Sequence, residues 1–331
     1  EYVRPTWQKR PRPQIVSADG NGASPKSWGA TIPGRPAPLN GGTPSNGGLP
    51  ALDRTAKLFI GGKQARPDGN YSRNVFGPDE QTIGQVADGN RKDIRNAVEA
   101  AHSASKWASQ TGHNRAQILY YVAENLNARA TEFAQRIVAM TGRTLDSAKT
   151  EVELAVERLF TYAAWADKFG GSIQETLMRG LTIAVNEQIG VIGIACPDEY
   201  PLLAFIALLA PAVARGNTIV IIPSERFPLS ATDFYQILET SDVPAGVVNI
   251  VTGSRDHLSK TLAEHDDVDA MWYFGTAEGS QQVEAASATN MKRTWVDYGE
   301  ARDWTDTHQG AGEEFLHESI QVKNIWVPTG E

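Results

Sequence analysis

One cysteine in 331 residues, Cys196, leaves no partner for an intramolecular disulfide and rules out a multi-cysteine metal site. That usage fits a reducing compartment, and the cytoplasm is the expected location. Long apolar runs are also missing. The stretch from Leu202 to Val213 is bounded by Pro201 and Arg215, so it falls short of the ~20 residues that a membrane span needs. Glu1 to Arg10 lacks the apolar centre of a signal peptide. Basic charge is outnumbered, with 31 Lys and Arg against 39 Asp and Glu. The net charge of -8 repels phosphate backbones, and no local basic patch offsets it, so nucleic acid is not an expected partner. The six histidines (His102, His113, His257, His265, His308 and His317) show no H-E-x-x-H or comparable ligand spacing. The acidic string Glu264, Asp266, Asp267 and Asp269 lacks the pattern of a calcium loop and reads as a solvated turn. No metal is expected.

What is present is uneven along the chain. Residues 17–55, and most strongly Ser17 to Pro50, are dominated by Gly, Pro, Ser and Asn, a composition that cannot repay the entropy of folding, and read as a linker. Residues 1–16 carry Tyr2, Val3, Trp7 and Ile15 and read as the tail of whatever precedes. Beyond the linker, Lys57 to Gln64 forms a strand with a Gly-Gly turn, and Asn74 to Val86 an extended pair. A helical block follows. Ile94, Val98 and Ala101 recur at helical spacing, as do Ile118, Tyr121, Val122 and Leu126, and then Val152, Val156, Leu159 and Phe160. Gly142 closes the helix through Phe133, Ile137 and Met140. Gly170 to Gln188 turns extended, with Leu181, Ile183 and Val185 alternating as in a half-exposed strand.

From Val191 onward short β-branched runs alternate with longer amphipathic segments. The predicted strands are Val191–Ala195, Thr218–Ile222, Val247–Val251, Ala270–Phe274 and Thr294–Tyr298. The predicted helices are Leu202–Ala214, Ser230–Thr240, His257–Glu264 and Glu278–Ala288. Apolar strands joined by crossover helices define an α/β fold with a Rossmann-like, doubly wound parallel sheet, here behind an N-terminal helical block. Trp272, Tyr273, Phe274, Trp295 and Tyr298 fall on two neighbouring strands as an aromatic wall. Such a surface must be covered, either by the 304–317 segment folding back or by a partner.

The string VIGIACPDEYPLLAFIALLAPAVARGNTIVIIPSERFPLSA, followed by VPAGVVNIVTG, HDDVDAMWYFGT and NMKRTWVDYG in that order, resembles the aldehyde dehydrogenase superfamily. The likeness runs from Lys57 to Asp303. ESIQVKNIWVP is similar to the family's C-terminal oligomerisation strand, and EYVRP to the end of a preceding dehydrogenase unit. The resemblance implies a degenerate second (C-terminal) module of a tandem aldehyde dehydrogenase, as in family 16. Residues 56–304 would be the dinucleotide-binding-type domain with an oligomerisation hairpin near 170–188, and residues 305–331 the C-terminal oligomerisation strand. The family's catalytic domain would be missing.

Departures from the family pattern carry the functional expectation. The family's nucleophilic cysteine lies beyond the glutamate that matches Asp297, and no cysteine follows Asp297 here. Without a nucleophile there is no thiohemiacetal from which hydride could leave. The oxyanion asparagine matches Glu199, whose carboxylate would repel the developing charge. Asp297, in the general-base position, has no deacylation to serve and reads as a solvated or capping carboxylate. Cys196 reads as a buried packing residue.

The resemblance also places vestigial cofactor positions at Glu225, Gly253, Gly275 and Thr276. The family's ribose-binding lysine is replaced by Ile222, whereas Thr276 could stand for the serine at the start of the helix from Glu278. Asp198 and Glu199 add negative charge where a diphosphate would lie. No cofactor is therefore expected for this chain, although NAD would serve the larger protein. The expected role is that of a non-catalytic module supporting assembly, by edge-strand pairing of Gly170–Gln188 and Ser319–Val327 with another unit. Its partners would be a catalytic aldehyde dehydrogenase unit of the same protein and a second copy in a homodimer. The alternatives are an NAD(P)-dependent aldehyde oxidoreductase at the level of that larger protein and a nucleotide-sensing module.

Overall fold

Why the strands after Val191 are apolar throughout is plain from the computed structural model, which describes residues 55–177 and 179–328. The expected tail and all but the last residue of the expected linker lie outside these. Thr55 is already in a strand. The chain begins with β1 (Thr55–Ala56), β2 (Leu58–Ile60), β3 (Lys63–Ala65), β4 (Ser72–Phe76) and β5 (Thr82–Ala87). Four helices follow: α1 (Arg91–Ser103), α2 (Gly112–Ala128), α3 (Ala130–Thr141) and α4 (Leu145–Trp165). Their ends are written in the sequence. Asn90 and Asp93 form a reciprocal capping box on α1, Thr111 and Thr144 cap α2 and α4, and Gly142 ends α3 at φ 72°.

The hairpin strands β6 (Gly171–Gln174) and β7 (Leu181–Gln188) lead into the alternating part of the chain: β8 (Val191–Ala195), α5 (Leu203–Ala214), β9 (Thr218–Ile222), α6 (Leu229–Asp233), α7 (Tyr235–Thr240), β10 (Val248–Ile250), α8 (Arg255–Ala263), β11 (Ala270–Tyr273), α9 (Ala277–Ser287) and β12 (Arg293–Val296). The helix expected over Ser230–Thr240 is interrupted only at Phe234, which still donates to Ser230 O and accepts from Leu238 N. α10 (Glu313–Glu318) and β13 (Ile320–Val327) close the chain. Of the described part of residues 305–331, expected as strand, only Ile320–Val327 is one.

Seven strands form the main sheet in the order β12-β11-β8-β9-β10-β2-β3. The five from β12 to β10 are parallel, and the β2–β3 hairpin adds an antiparallel edge. Alternation along each strand divides the core in two. Ile219 and Ile221 join Ile192, Ile194 and all of α5's apolar residues beneath α2 and α4, while Val220 and Ile222 meet α1 and α8 on the opposite face. Both faces are covered, so no strand position tolerates a polar side chain cheaply. The chain crosses from β8 outward to β9 and β10 and then returns past β8 to β11, which makes the gap between the carboxyl ends of β8 and β11 the topological switch point.

The same alternation splits the expected aromatic wall. Trp272 and Phe274 lie on one face, Tyr273 on the other, and Tyr298 is exposed. The 304–317 segment folds back over the first group. Phe274 and Trp295 lie 5.0 Å apart, Phe274 and Trp304 5.5 Å, and Trp295 and Phe315 5.2 Å, all edge to face. Arg302 sits over these rings, 5.4 Å from Trp295, and donates to Gln309 O at 2.8 Å.

A third sheet has the order β13-β7-β6. The two extended segments expected to pair with another unit thus pair first with each other, through eight registered residues from Ile320–Gln188 to Val327–Leu181. β7 is half-exposed, as its alternation predicts. Thr182 and Ala184 are buried against the chain, whereas Leu181, Ile183 and Val185 lie on the open face. Register puts Ile173, Ile325 and Val327 beside them. The stripe is a genuine period-two pattern, but periodicity alone cannot say which face meets the core.

Candidate functional site

The site residues singled out by the sequence gather around the switch point. β8 ends at Ala195 and the chain continues as Cys196, Pro197, Asp198, Glu199 and Tyr200, the last at φ 48°, before α5 begins. This sharp exit is held by a residue that the sequence reading missed. The buried Glu151 of α4 accepts from Leu202 N at 2.9 Å and Leu203 N at 3.2 Å, and pairs with Arg143. Burial pushes the Glu151 carboxyl pKa up, against the opposing pull of the Leu202 amide and Arg143. Arg143 in turn covers the Tyr200 ring at 4.6 Å. No spacing rule links positions 151 and 202; only the packing of α4 on α5 does.

A cavity of about 270 Å³ occupies the switch point and is lined by Asp198, Glu199, Gly275, Thr276 and Asp297 among others. The expected site residues Glu199, Gly275, Thr276 and Asp297 are therefore brought together. Glu225 and Gly253 are not part of this lining. Glu225 instead lines a neighbouring cavity of about 1030 Å³ between the carboxyl end of β9 and the β4–β5 hairpin.

Asp297, Thr276 and Glu225 are already engaged within the fold. Asp297 Oδ1 accepts from Gly275 N at 3.3 Å and Gly299 N at 3.1 Å; burial raises its pKa and these amides oppose the rise. It ties the loop after β12 to the end of β11. Thr276 Oγ1 accepts from Gly279 N at 3.0 Å as the N-cap of α9, and Thr276 N donates to the Tyr273 hydroxyl at 3.3 Å. Glu225 Oε2 accepts from Arg255 N at 2.8 Å at the start of α8. Gly253 is a packing glycine, since a Cβ there would meet Leu258 Cδ1 at 2.8 Å and the Gly89 backbone at 3.2 Å. Glu199 is exposed on the rim.

Asp198 corrects one electrostatic expectation. Its carboxylate is not an uncompensated charge, because Arg255 lies 3.4 Å from Oδ2 while Ser224 Oγ and Arg226 N donate to Oδ1 at 2.6 and 3.2 Å. Arg255 had no signal in the sequence beyond being a basic residue just past a strand end. Cys196 is buried to 1%, and burial pushes its thiol pKa well up, away from the thiolate a nucleophile needs. Among the described residues no group of three or more His, Cys, Asp or Glu could hold a metal, and no helix is long and apolar enough to cross a membrane.

If Asp297 holds a loop rather than a proton, Asp297→Asn, which keeps an acceptor oxygen, should change unfolding free energy by less than about 0.5 kcal/mol, and Asp297→Ala should cost about 1–3 kcal/mol. Urea titration of both variants measures this, and equal losses would refute the loop-tying role.

The model of the aldehyde dehydrogenase family matches residues 66–302. The chain belongs to the aldehyde dehydrogenase family. Among relatives, it is 32% identical over 247 residues to the betaine aldehyde dehydrogenase of Bacillus subtilis (strain 168), an overlap that covers 73% of this chain and 50% of that protein. It is 31% identical over 249 residues to the NADP/NAD-dependent aldehyde dehydrogenase PuuC of Escherichia coli (strain K12), with the same two shares. Among solved structures, a point mutant of the aldehyde dehydrogenase from Bacillus cereus superposes with a TM-score of 0.71 at 27% identity, over 74% of this chain and 51% of that one. Betaine aldehyde dehydrogenase from Staphylococcus aureus in complex with NAD+ has a TM-score of 0.70 at 24% identity, over 73% and 49%, a likeness of fold. This aldehyde dehydrogenase family chain spans about half the length of the curated relatives it matches.

Proposed function

We propose that this chain is a non-catalytic aldehyde dehydrogenase module, the degenerate second unit of a tandem enzyme of the family 16 kind, whose role is structural and lies in assembly. One observation carries the reading. The sheet β13-β7-β6 presents Ile173, Leu181, Ile183, Val185, Ile325 and Val327 on one face that the chain itself leaves open, with Ile173 70% and Val327 45% exposed. Six aliphatic side chains on one flat face of water-exposed sheet call for a covering partner. The occupant that fits is the equivalent sheet of another aldehyde dehydrogenase unit: a second copy when the chain is alone, and a catalytic unit within the larger protein.

The crevice supports the same reading. The Glu225 carboxylate and the Thr276 hydroxyl each accept a hydrogen bond within the fold, which disfavours their use as ligands of a nicotinamide dinucleotide, and the single cysteine, Cys196, is buried. No reaction step is assigned to this chain. Aldehyde oxidation with NAD+ belongs to the catalytic unit of the larger protein.

Light scattering tests the assembly role. The wild-type chain should run at twice 35.9 kDa or more, and Ile325→Lys, at a site 41% exposed, should bring it down to 35.9 kDa with its unfolding transition unchanged. A monomeric wild type, or an Ile325→Lys protein of unaltered mass, refutes the proposal.

A further inference from the structure

In a doubly wound sheet the ligand crevice opens where strand order reverses, and anions settle on the free amides of the helix that follows. In this chain the first is filled from within and the second is partly engaged. The guanidinium of Arg255, from the first residue of α8, reaches across the crevice: Nη1 donates to Cys196 O at 3.3 Å and to Asp198 Oδ2 at 3.4 Å, and the side chain is only 13% exposed. Arg255 and Asp198 line both the cavity at the switch point and the larger cavity beside Glu225. Their ion pair is thus the partition between two spaces. One holds about 1030 Å³; the other, at about 270 Å³, is smaller than the roughly 300 Å³ at which small-molecule pockets begin.

The start of α9 is partly engaged. The Tyr273 hydroxyl donates to Asp256 Oδ1 at 2.6 Å and accepts from Thr276 N at 3.3 Å, which takes up the backbone donor ahead of α9. It is packed tightly there, for a Cβ on Gly279 would collide with its oxygen.

We infer that Arg255 is a built-in occupant of the cofactor crevice: with Asp198 it closes the passage between its two halves, while Tyr273 and the Thr276 hydroxyl take up two amides at the start of α9, those of Thr276 and Gly279. The inference deepens the non-catalytic reading above, on which it rests, by naming the residues that exclude a dinucleotide. A sealed crevice differs measurably from an empty one, which would still admit nucleotide weakly.

The test is a titration of the whole chain with NAD+, followed by calorimetry and by intrinsic tryptophan fluorescence, to which Trp304 at the smaller cavity contributes. Wild type, which keeps the plug, should show no saturable binding tighter than about 1 mM. The triple variant Arg255→Gly, Asp198→Asn and Tyr273→Phe should bind at least about tenfold more tightly than that limit. Asp198→Asn is included because removing Arg255 alone leaves an unpaired carboxylate where phosphate must pass, whereas asparagine can still accept from Ser224 and Arg226. Should the triple variant lack a cooperative thermal transition, Arg255→Ser with Asp198→Asn decides in its place. Binding of NAD+ by the wild type overturns the inference, as does a folded, opened variant that takes no nucleotide. Neither result bears on native mass, so the failure of this inference and the failure of the assembly role are separately visible.

Discussion

Trp304→Ala is expected to lower the unfolding free energy by about 3–5 kcal/mol, the range for removing a fully buried aromatic ring. Trp304 is 2% exposed, meets Phe274 at 5.5 Å and Phe315 at 6.3 Å, and stands next to the point where the chain doubles back over the sheet. Its loss would also remove one of the rings beneath Arg302, whose guanidinium lies 5.9 Å from the Trp304 ring and stays held by Glu314 at 2.9 Å and Gln309 O at 2.8 Å. In thermal unfolding the loss corresponds to a Tm roughly 10 °C lower. Phe315→Ala, on the other arm of the same fold-back, should cost a similar amount. Because the two residues touch, the double variant should lose less than the sum of the singles. A cost below about 1 kcal/mol for Trp304→Ala would mean that the segment from 304 to 317 does not cover the end of the sheet.

Glu151→Ala should cost about 3 kcal/mol, which combines the loss of a buried charge partner with the loss of a helix cap. Its carboxylate is the acceptor for the first amides of α5, a helix whose twelve residues are all buried and whose N-terminal neighbour, Leu202, offers no capping side chain. Glu151→Gln keeps an acceptor oxygen for those amides and should recover at least half of the loss. The control is Arg143→Ala. Arg143 itself is partly exposed whereas Glu151 is fully buried, and a double-mutant cycle with Glu151→Ala should show coupling of at least about 0.5 kcal/mol. Guanidinium unfolding reads the three single variants and the double. Additive losses would show that the pair does not act as a unit. The consequence extends to the crevice, since the α5 cap sets the path of Pro197 to Tyr200 past its mouth.

Several elements were legible because they depend on neighbours in the chain. The α1, α2 and α4 caps, the Gly142 stop and the strand runs from Val191 to Val296 all follow from local patterning. The family likeness placed Glu199, Gly275, Thr276 and Asp297 together, and they do line one cavity. Other features were hidden. The pairing of Arg255 with Asp198 spans 57 residues, and that of Glu151 with Leu202 spans 51. Neither separation follows any period, so no sequence pattern announces them. The half-exposed character of β7 was legible, but its alternation is symmetric and names no face. Leu181, Ile183 and Val185 would satisfy a buried face or an assembly face equally well, and only the position of β13 shows that the chain leaves them uncovered.

The order of residues by itself determined the α/β class, the parallel sheet and the single cysteine, because these rest on period, propensity and composition, each a property of short stretches of chain. Only the tertiary structure decided what fills the switch point. Along the chain Glu225 and Thr276 read as vestigial cofactor positions and Asp297 as a solvated or capping carboxylate; all three become internal acceptors once α8, α9 and the loop after β12 converge on them. A polar side chain buried by folding must find a partner, and which partner it finds is set by the meeting of distant segments.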